Sequence, residues 1–192
     1  MKFENVHVRL IPLREVSIDG LWEAAQSLER WTLSLAPYGQ SREQIRGYVA
    51  QASAQEDEGW TQPFAVLDQA SGRVLGSTRL TLIDRENAKA ELGYTWYARD
   101  VWGTAVNPSC KRLLLRHAFE TMGLERVYFY VNLLNERSLA AVERLGAVRE
   151  GVLRHDRRLS NGAWRDTVVL SILSAEWPAV RASLEERLLR FD

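Results

Sequence analysis

A chain of 192 residues can bury one sizeable core and is short for two full domains. Its 25 basic side chains balance 25 acidic ones, so no global field draws nucleic acid or an anionic membrane, and a small substrate is favoured over either. One cysteine, Cys110, excludes an internal disulfide and a cysteine-based zinc site, and fits a reducing, cytoplasmic setting. The first residues, "MKFENVHVRLIPL", are too polar for a signal peptide. No apolar run approaches the ~20 residues that span a membrane.

In chain order, "VHVRLIPL" alternates and predicts a first strand, Val6 to Leu13. Ser17 and Asp19 are capping types ahead of a helix through "IDGLWEAAQSL". The chain then breaks at Pro37 and Gly39. Ser41, with Gln44 three places on, is a capping-box pattern that starts a second helix running to about Ala54. "PFAVLD", the turn "QASGR" and "VLGSTRLTLID" read as a β-hairpin. Gly72 serves the turn, and Gly76 marks a bulge or a close backbone approach. The polar turn "RENAK" leads to a third antiparallel strand, "AELGYTWYA".

Next comes "DVWGTAVNPSCKRLLLRHAFE", a loop running into a helix. Asn107 is the expected N-cap, and Pro108 takes the first helical position, where its missing N–H costs nothing. Cys110, Leu114, Leu115, Ala118, Phe119 and Met122 form one apolar stripe, which makes Cys110 a core residue, and Gly123 ends the helix. "RVYFYVN" is a strand with Val127, Phe129 and Val131 alternating against Tyr128, Tyr130 and Asn132. Asn135 caps the helix "ERSLAAVERL", which ends at Gly146. "AVREGVLR" and "WRDTVVLSIL" are strands on either side of a long polar connection with an "SNG" turn, and "SAEWPAVRASLEERLLR" is a closing amphipathic helix. The order describes one α+β domain with a mixed sheet and helices on both faces.

The segments "AELGYTWY", "VWGTAVNPSCKRLLLRHAFE", "GLERVYFYVNLLNERSLAAVERLGAVREGVLR" and "NGAWRDTVVLSILSAEW" together resemble the GNAT superfamily of acetyl-CoA-dependent N-acetyltransferases, in its RimJ/RimL-type branch. A pattern N-x-x-S-x-x-A-x-x-x-L-G-A-x-x-E-G-x-x-R is carried by Asn135, Ser138, Ala141, Leu145, Gly146, Ala147, Glu150, Gly151 and Arg154. The resemblance covers nearly the whole chain. It implies a three-layer α/β/α sandwich with a mixed sheet of six to seven strands, acetyl-CoA as co-substrate, and no metal.

In that family the loop before the helix reads Q/R-x-x-G-x-G/A, and its backbone N–H groups hold the pyrophosphate of coenzyme A. Those positions here are Trp102, Gly103, Thr104, Ala105, Val106 and Asn107. A tryptophan stands in place of the leading basic or amide residue, and Ala105 and Asn107 in place of the small ones. The helix N-terminus still favours an anion. Pro108 removes one donor; Ser109 offers a hydroxyl, and Lys111 and Arg112 add charge. The alternative is a plain capped helix in a binding module that no longer turns over the cofactor.

Acetyl transfer to an amine needs a proton acceptor, stabilisation of the thioester oxygen, a proton for the leaving thiolate, and close positioning of both substrates. Direct attack without an acyl-enzyme leaves no nucleophilic task for Cys110. Glu91, with Gly93 in the same pleat, is the candidate base; a salt-bridged strand residue is the alternative. Ser138 is the candidate acid, against a serine bonding to backbone near the helix cap. Asn135 is a candidate pantetheine contact as well as an N-cap. Tyr128 and Tyr130 are alternative acids.

His7, His117 and His155 lie far apart with no second ligand at metal spacing, and His117 falls on the polar side of its helix, where exposure is expected. Trp22, Trp31 and Trp60 fall where the family roofs its acceptor pocket. The acceptor is a protein α-amine by family analogy or a small amine instead. A homodimer is also expected, because the last strands offer an edge and exposed aromatics.

Overall fold

The computed structural model describes residues 3–26, 41–159 and 162–191. Trp31, the breaks at Pro37 and Gly39, the last residues of the first predicted helix, and Ser160 and Asn161 of the "SNG" turn lie outside these residues.

Among the described residues, seven strands form a single sheet: β1 (Val8–Pro12), β2 (Thr61–Asp68), β3 (Val74–Asp84), β4 (Lys89–Tyr97), β5 (Arg126–Asn132), β6 (Val148–Arg158) and β7 (Trp164–Leu173). Their order is β1-β2-β3-β4-β5-β7-β6. Every neighbouring pair is antiparallel except β4 and β5. The helices are α1 (Ile18–Gln26), α2 (Arg42–Asp57), α3 (Val106–Arg116), α4 (Glu136–Glu143) and α5 (Trp177–Leu188).

Alternation along the strands feeds two cores, one on each face of the sheet. On one face, Leu21, Ala24 and Ala25 of α1 and Ile45, Tyr48 and Ala52 of α2 pack with Ala65, Leu67 and Trp96. On the other, Cys110, Leu113, Leu114 and Leu115 of α3, Val142 near the end of α4, and Trp177, Val180 and Leu184 of α5 pack with Ala90, Leu92, Val127, Phe129, Val168 and Leu170. The result is the expected three-layer α+β sandwich.

Local chemistry accounts for most boundaries. Ser41 Oγ accepts from the Gln44 N–H at 3.2 Å and starts α2. Gly72, at φ +71°, closes the β2–β3 turn, and the Ser71 N–H is held by Asp68 Oδ1 at 2.8 Å. At Gly76 a Cβ would lie 2.1 Å from the Trp96 carbonyl oxygen, so β3 and β4 approach there only because the side chain is absent.

Three expectations are corrected. The strand β6 runs on to Arg158 instead of ending at Arg154. His155, at φ +49°, makes a bulge, and pairing resumes with Arg157 opposite Arg165. The helix α3 ends in a single π turn, His117–Thr121, with the Met122 N–H on the His117 carbonyl at 2.9 Å. His117 is half-buried rather than exposed: Phe3 packs edge-on at 4.9 Å, and Nε2 lies 3.0 Å from Gln62 Oε1.

Candidate active site

Two neighbouring strands part in the middle of the sheet. Only Lys89–Glu91 of β4 pair with Arg126–Tyr128 of β5. Beyond that point β4 stays with β3 and β5 stays with β7. The cause is local. Tyr94 adopts φ +51°, and the β3–β4 register jumps from Arg79 opposite Gly93 to Ser77 opposite Trp96. This bulge bends β4 away and opens a gap with unpaired strand edges.

Glu91 stands at the point of separation. Ala90 and Leu92 belong to the α3–α5 core, so Glu91 projects from the opposite face, together with Tyr128 and Tyr130. It is 6% exposed, and no hydrogen bond or ion pair within the described residues holds its carboxyl. Burial raises its pKa, and Arg157 and Arg165 partly oppose that rise. Its Oε1 occupies the space above Gly93, where a Cβ would come within 2.5 Å of it. A buried, unpaired carboxyl of this kind binds a proton more readily than an exposed one, which suits it to general-base work. Tyr128 is buried, with its pKa pushed up to about 12 mainly by that burial, and its ring lies 5.1 Å from that of Tyr130.

The start of α3 borders the gap. Ala105 is its N-cap, not Asn107, which is the second helical residue. Thr104 moves the start forward. Its Oγ1 donates to the Val101 carbonyl at 2.7 Å and lies 3.3 Å from the Val106 N–H, and Ala105 is already helical at φ −64°. Pro108 is therefore third in the helix, still in the first turn, where its missing N–H breaks no intrahelical bond. Gly103, at φ +80°, has open space where a side chain would be. Ser109 is fully buried, and its Oγ has no hydrogen-bond partner among the described residues. Lys111 does not point out toward the helix start. It is 5% exposed, and its Nζ reaches Thr95 Oγ1 on β4 at 3.3 Å and lies 5.4 Å from the Phe129 ring centre on β5. Cys110 is fully buried, and burial pushes its thiol up to about 12, which leaves it protonated.

Trp102 carries a contact that motif reading missed. Its Nε1 donates to the Tyr97 carbonyl at 2.9 Å, and the guanidinium of Arg137, on α4, lies 3.3 Å from its ring centre. A cation from α4 thus stands beside the loop whose own basic position is empty. Sequence alone offered one signal, an aromatic where the family pattern has a basic or amide residue. Asn135 caps α4, its Oδ1 accepting the Ser138 N–H at 3.1 Å. Ser138 is the third residue of α4 and is half-buried; its hydroxyl makes no hydrogen bond among the described residues.

The Glu91 face continues onto the last strands. Arg165 is 7% exposed and donates to Thr167 Oγ1 at 3.0 Å and the Tyr130 carbonyl at 3.3 Å. Arg157 lies 3.3 Å from Asp156 Oδ2. Val152–Asp156 of β6 line an open, shallow depression at the sheet edge. Arg79 lies across from Gly93, its guanidinium between the rings of Tyr48 (4.3 Å) and Tyr94 (4.5 Å). Trp22 stacks under Arg42, and Trp60 bonds Glu58 Oε2 at 2.6 Å. Glu150 is fixed by Arg126 and by Ser171 Oγ at 2.7 Å. Among the described residues, no three His, Cys, Asp or Glu side chains are grouped to hold a metal.

The model of the acetyltransferase (GNAT) domain matches residues 7–148, a span that includes both parted strands, the loop, α3 and α4. The Bacillus subtilis (strain 168) protein named "Putative ribosomal N-acetyltransferase YdaF" is 38% identical over 106 residues, 55% of this chain and 57% of that protein. The match thus spans just over half the length of that relative. A crystal structure of a T. thermophilus protein described as "putative acetyltransferase" is 42% identical, with a TM-score of 0.83 over 97% of this chain and 96% of that one. Mycobacterium smegmatis RimJ, solved in complex with CoA-disulfide, has a TM-score of 0.76 over 94% of this chain and 88% of its own, at 21% identity, a likeness of fold alone. With the family model covering most of the chain and the sheet opened beside the start of α3, this chain belongs to the GNAT acetyltransferase family.

Proposed function

We propose that this chain is an N-acetyltransferase that moves the acetyl group of acetyl-CoA to a primary amine by direct attack in a ternary complex, the acceptor being a protein N-terminal α-amine. One observation carries the reading. The parallel strands β4 and β5 part beside the start of α3, and a buried, unpaired carboxyl stands where they separate. The gap admits an extended arm, and unpaired strand edges can bond its amides. Gly103 to Asn107 and Ser109 supply the anion end at the start of α3. Arg137, held by Trp102, takes over the charge that the loop lacks, and Asn135 adds an amide at the mouth of the gap. Acetyl-CoA supplies an activated acyl group.

Glu91 then takes the amine proton, and Ser138 donates toward the leaving sulfur. A free α-amine has an ordinary pKa of ~7.7–8.0, within reach of a carboxylate whose affinity for protons burial has raised. Arg157 and Arg165 on the same face disfavour a polycationic acceptor, and the B. subtilis relative's name points to ribosomal protein. The strand β6 is a sheet edge with Val148, Val152 and Leu153 exposed, which supports pairing of two copies.

The acceptor is tested by mass spectrometry of peptides incubated with the protein and acetyl-CoA. Peptides with a free N-terminus should gain one acetyl group at the α-amine, and N-terminally blocked peptides bearing lysine should not. Acetylation of polyamines in preference to any peptide would overturn the acceptor assignment.

A further inference from the structure

The α3 side of the gap holds a charged group that the reading above leaves without a task. The Lys111 ammonium enters the space between the parted strands just beyond the last β4–β5 pair, between Thr95 and Phe129. An ammonium has three N–H donors. The bond to Thr95 Oγ1, at 3.3 Å, uses one of them. That hydroxyl already lies 2.8 Å from Thr78 Oγ1 and 3.3 Å from the Gly93 carbonyl. The Phe129 ring attracts the charge but offers no lone pair. No described carboxylate pairs with Lys111. A charge buried with so little compensation is costly, and it marks a place built to meet an acceptor oxygen. The position does not suit the pyrophosphate: Lys111 lies in the second turn of α3, is 5% exposed, and is held between β4 and β5.

We infer that Lys111 is a catalytic residue of the donor side, its ammonium the hydrogen-bond donor that meets the acyl carbonyl oxygen as negative charge develops there. The inference rests on the acetyltransferase reading above. As the amine nitrogen bonds to the carbonyl carbon, the C=O electron pair moves onto oxygen, toward Lys111. When that pair returns, the C–S bond breaks and its electrons leave on sulfur. The amine proton passes to Glu91, and the thiolate takes a proton from Ser138, which solvent replenishes. Donors placed in this way contribute about 10²–10³-fold to kcat in other enzymes.

The test is infrared spectroscopy of acetyl-CoA, isotopically labelled at the thioester carbonyl and bound to the whole chain, with calorimetry of free CoA alongside. In the unmodified protein the carbonyl stretch should fall below that of free acetyl-CoA. In Lys111→Met it should move back toward the free value, with acetyl-CoA affinity down about tenfold and free-CoA affinity changed less than about twofold. Lys111→Arg, which keeps the charge, should retain part of the shift. An identical stretch in the unmodified protein and Lys111→Met would overturn the inference and leave the acetyltransferase reading intact. So would an equal loss of affinity for free CoA, since Lys111 would then serve the carrier and not the acyl group. Failure of the unmodified protein to bind either ligand would instead sink the acetyltransferase reading, and this inference with it.

Discussion

Replacing Lys111 with methionine should stabilise the protein at neutral pH. Burial lowers the Lys111 pKa from 10.5 to about 8. At about 1.4 kcal/mol for each tenfold in proton affinity, holding the ammonium inside the fold costs roughly 3 kcal/mol. Methionine keeps a similar length and packs on Phe129 without the charge. It loses one hydrogen bond, worth about 1 kcal/mol, while Thr95 Oγ1 keeps Thr78 and the Gly93 carbonyl as partners. A net gain of roughly 1–2 kcal/mol follows, a rise in Tm of about 2–8 °C for a chain of this size. The pH dependence has a definite sign. Below about pH 8 both folded and unfolded chains hold the proton, and the folded state bears the whole cost. Between about 8 and 10.5 the unfolded chain binds more protons, so stability rises with pH relative to the variant. The variant's advantage should therefore be largest below about pH 8 and give way above about 10.5 to a small deficit, the one hydrogen bond it lost. Urea unfolding of both proteins across that range measures it. A variant less stable at neutral pH, or a difference that does not shrink with pH, would show that the ammonium is fully satisfied and would remove the premise of a lysine awaiting a ligand.

Glu91→Gln should lower kcat/KM by about 10²–10⁴-fold without weakening CoA binding, and the acid limb of the pH–rate profile, set above the usual carboxylate range by burial, should disappear with it. Gly93→Ala should cost little stability, because the atom in its way is the far end of the Glu91 side chain; steady-state kinetics should nonetheless show a fall in kcat as that carboxyl is pushed aside. Gly76→Ala meets backbone instead of a movable side chain and should lose about 1–3 kcal/mol or more on denaturant unfolding. Arg137→Ala should weaken CoA severalfold in calorimetry but leave pantetheine, which lacks the phosphates, unaffected; equal losses for both would place Arg137 away from the pyrophosphate. The Arg126 hydrogen bonds hold Glu150 down to about 2, so the pair contributes stability above about pH 4.5 that is lost as pH falls toward 2, and Glu150→Gln should flatten that acid slope.

The parts legible in the sequence were those decided by neighbours a few residues apart. Gly72 in its turn, Ser41 with Gln44 at the start of α2, and the alternation of Val127, Phe129 and Val131 each act within one turn or one pleat. Asn107 misled because capping preference was read from residue type alone; Thr104, with its bond to the Val101 carbonyl, had already turned the chain. The extension of β6 past His155 depends on pairing with Arg165 and Trp164, a long-range term. The gap itself has no local signature. It arises from a bulge at Tyr94, a residue type not suited to positive φ, held by its neighbours. Two site residues changed meaning for the same reason. Lys111 reads as charge added to the anion loop until the parted strands receive it, and Trp102 reads as a lost basic residue until α4 brings Arg137 onto its ring.

The central claim is that the opened sheet and the altered loop still receive acetyl-CoA. Calorimetric titration of the purified chain with acetyl-CoA, repeated in excess pyrophosphate, tests it most directly. Micromolar binding that pyrophosphate weakens is the predicted result. Absence of heat at millimolar acetyl-CoA would mean that Pro108 and the missing loop glycines have closed the anion site, and the account of an acetyltransferase would be contradicted.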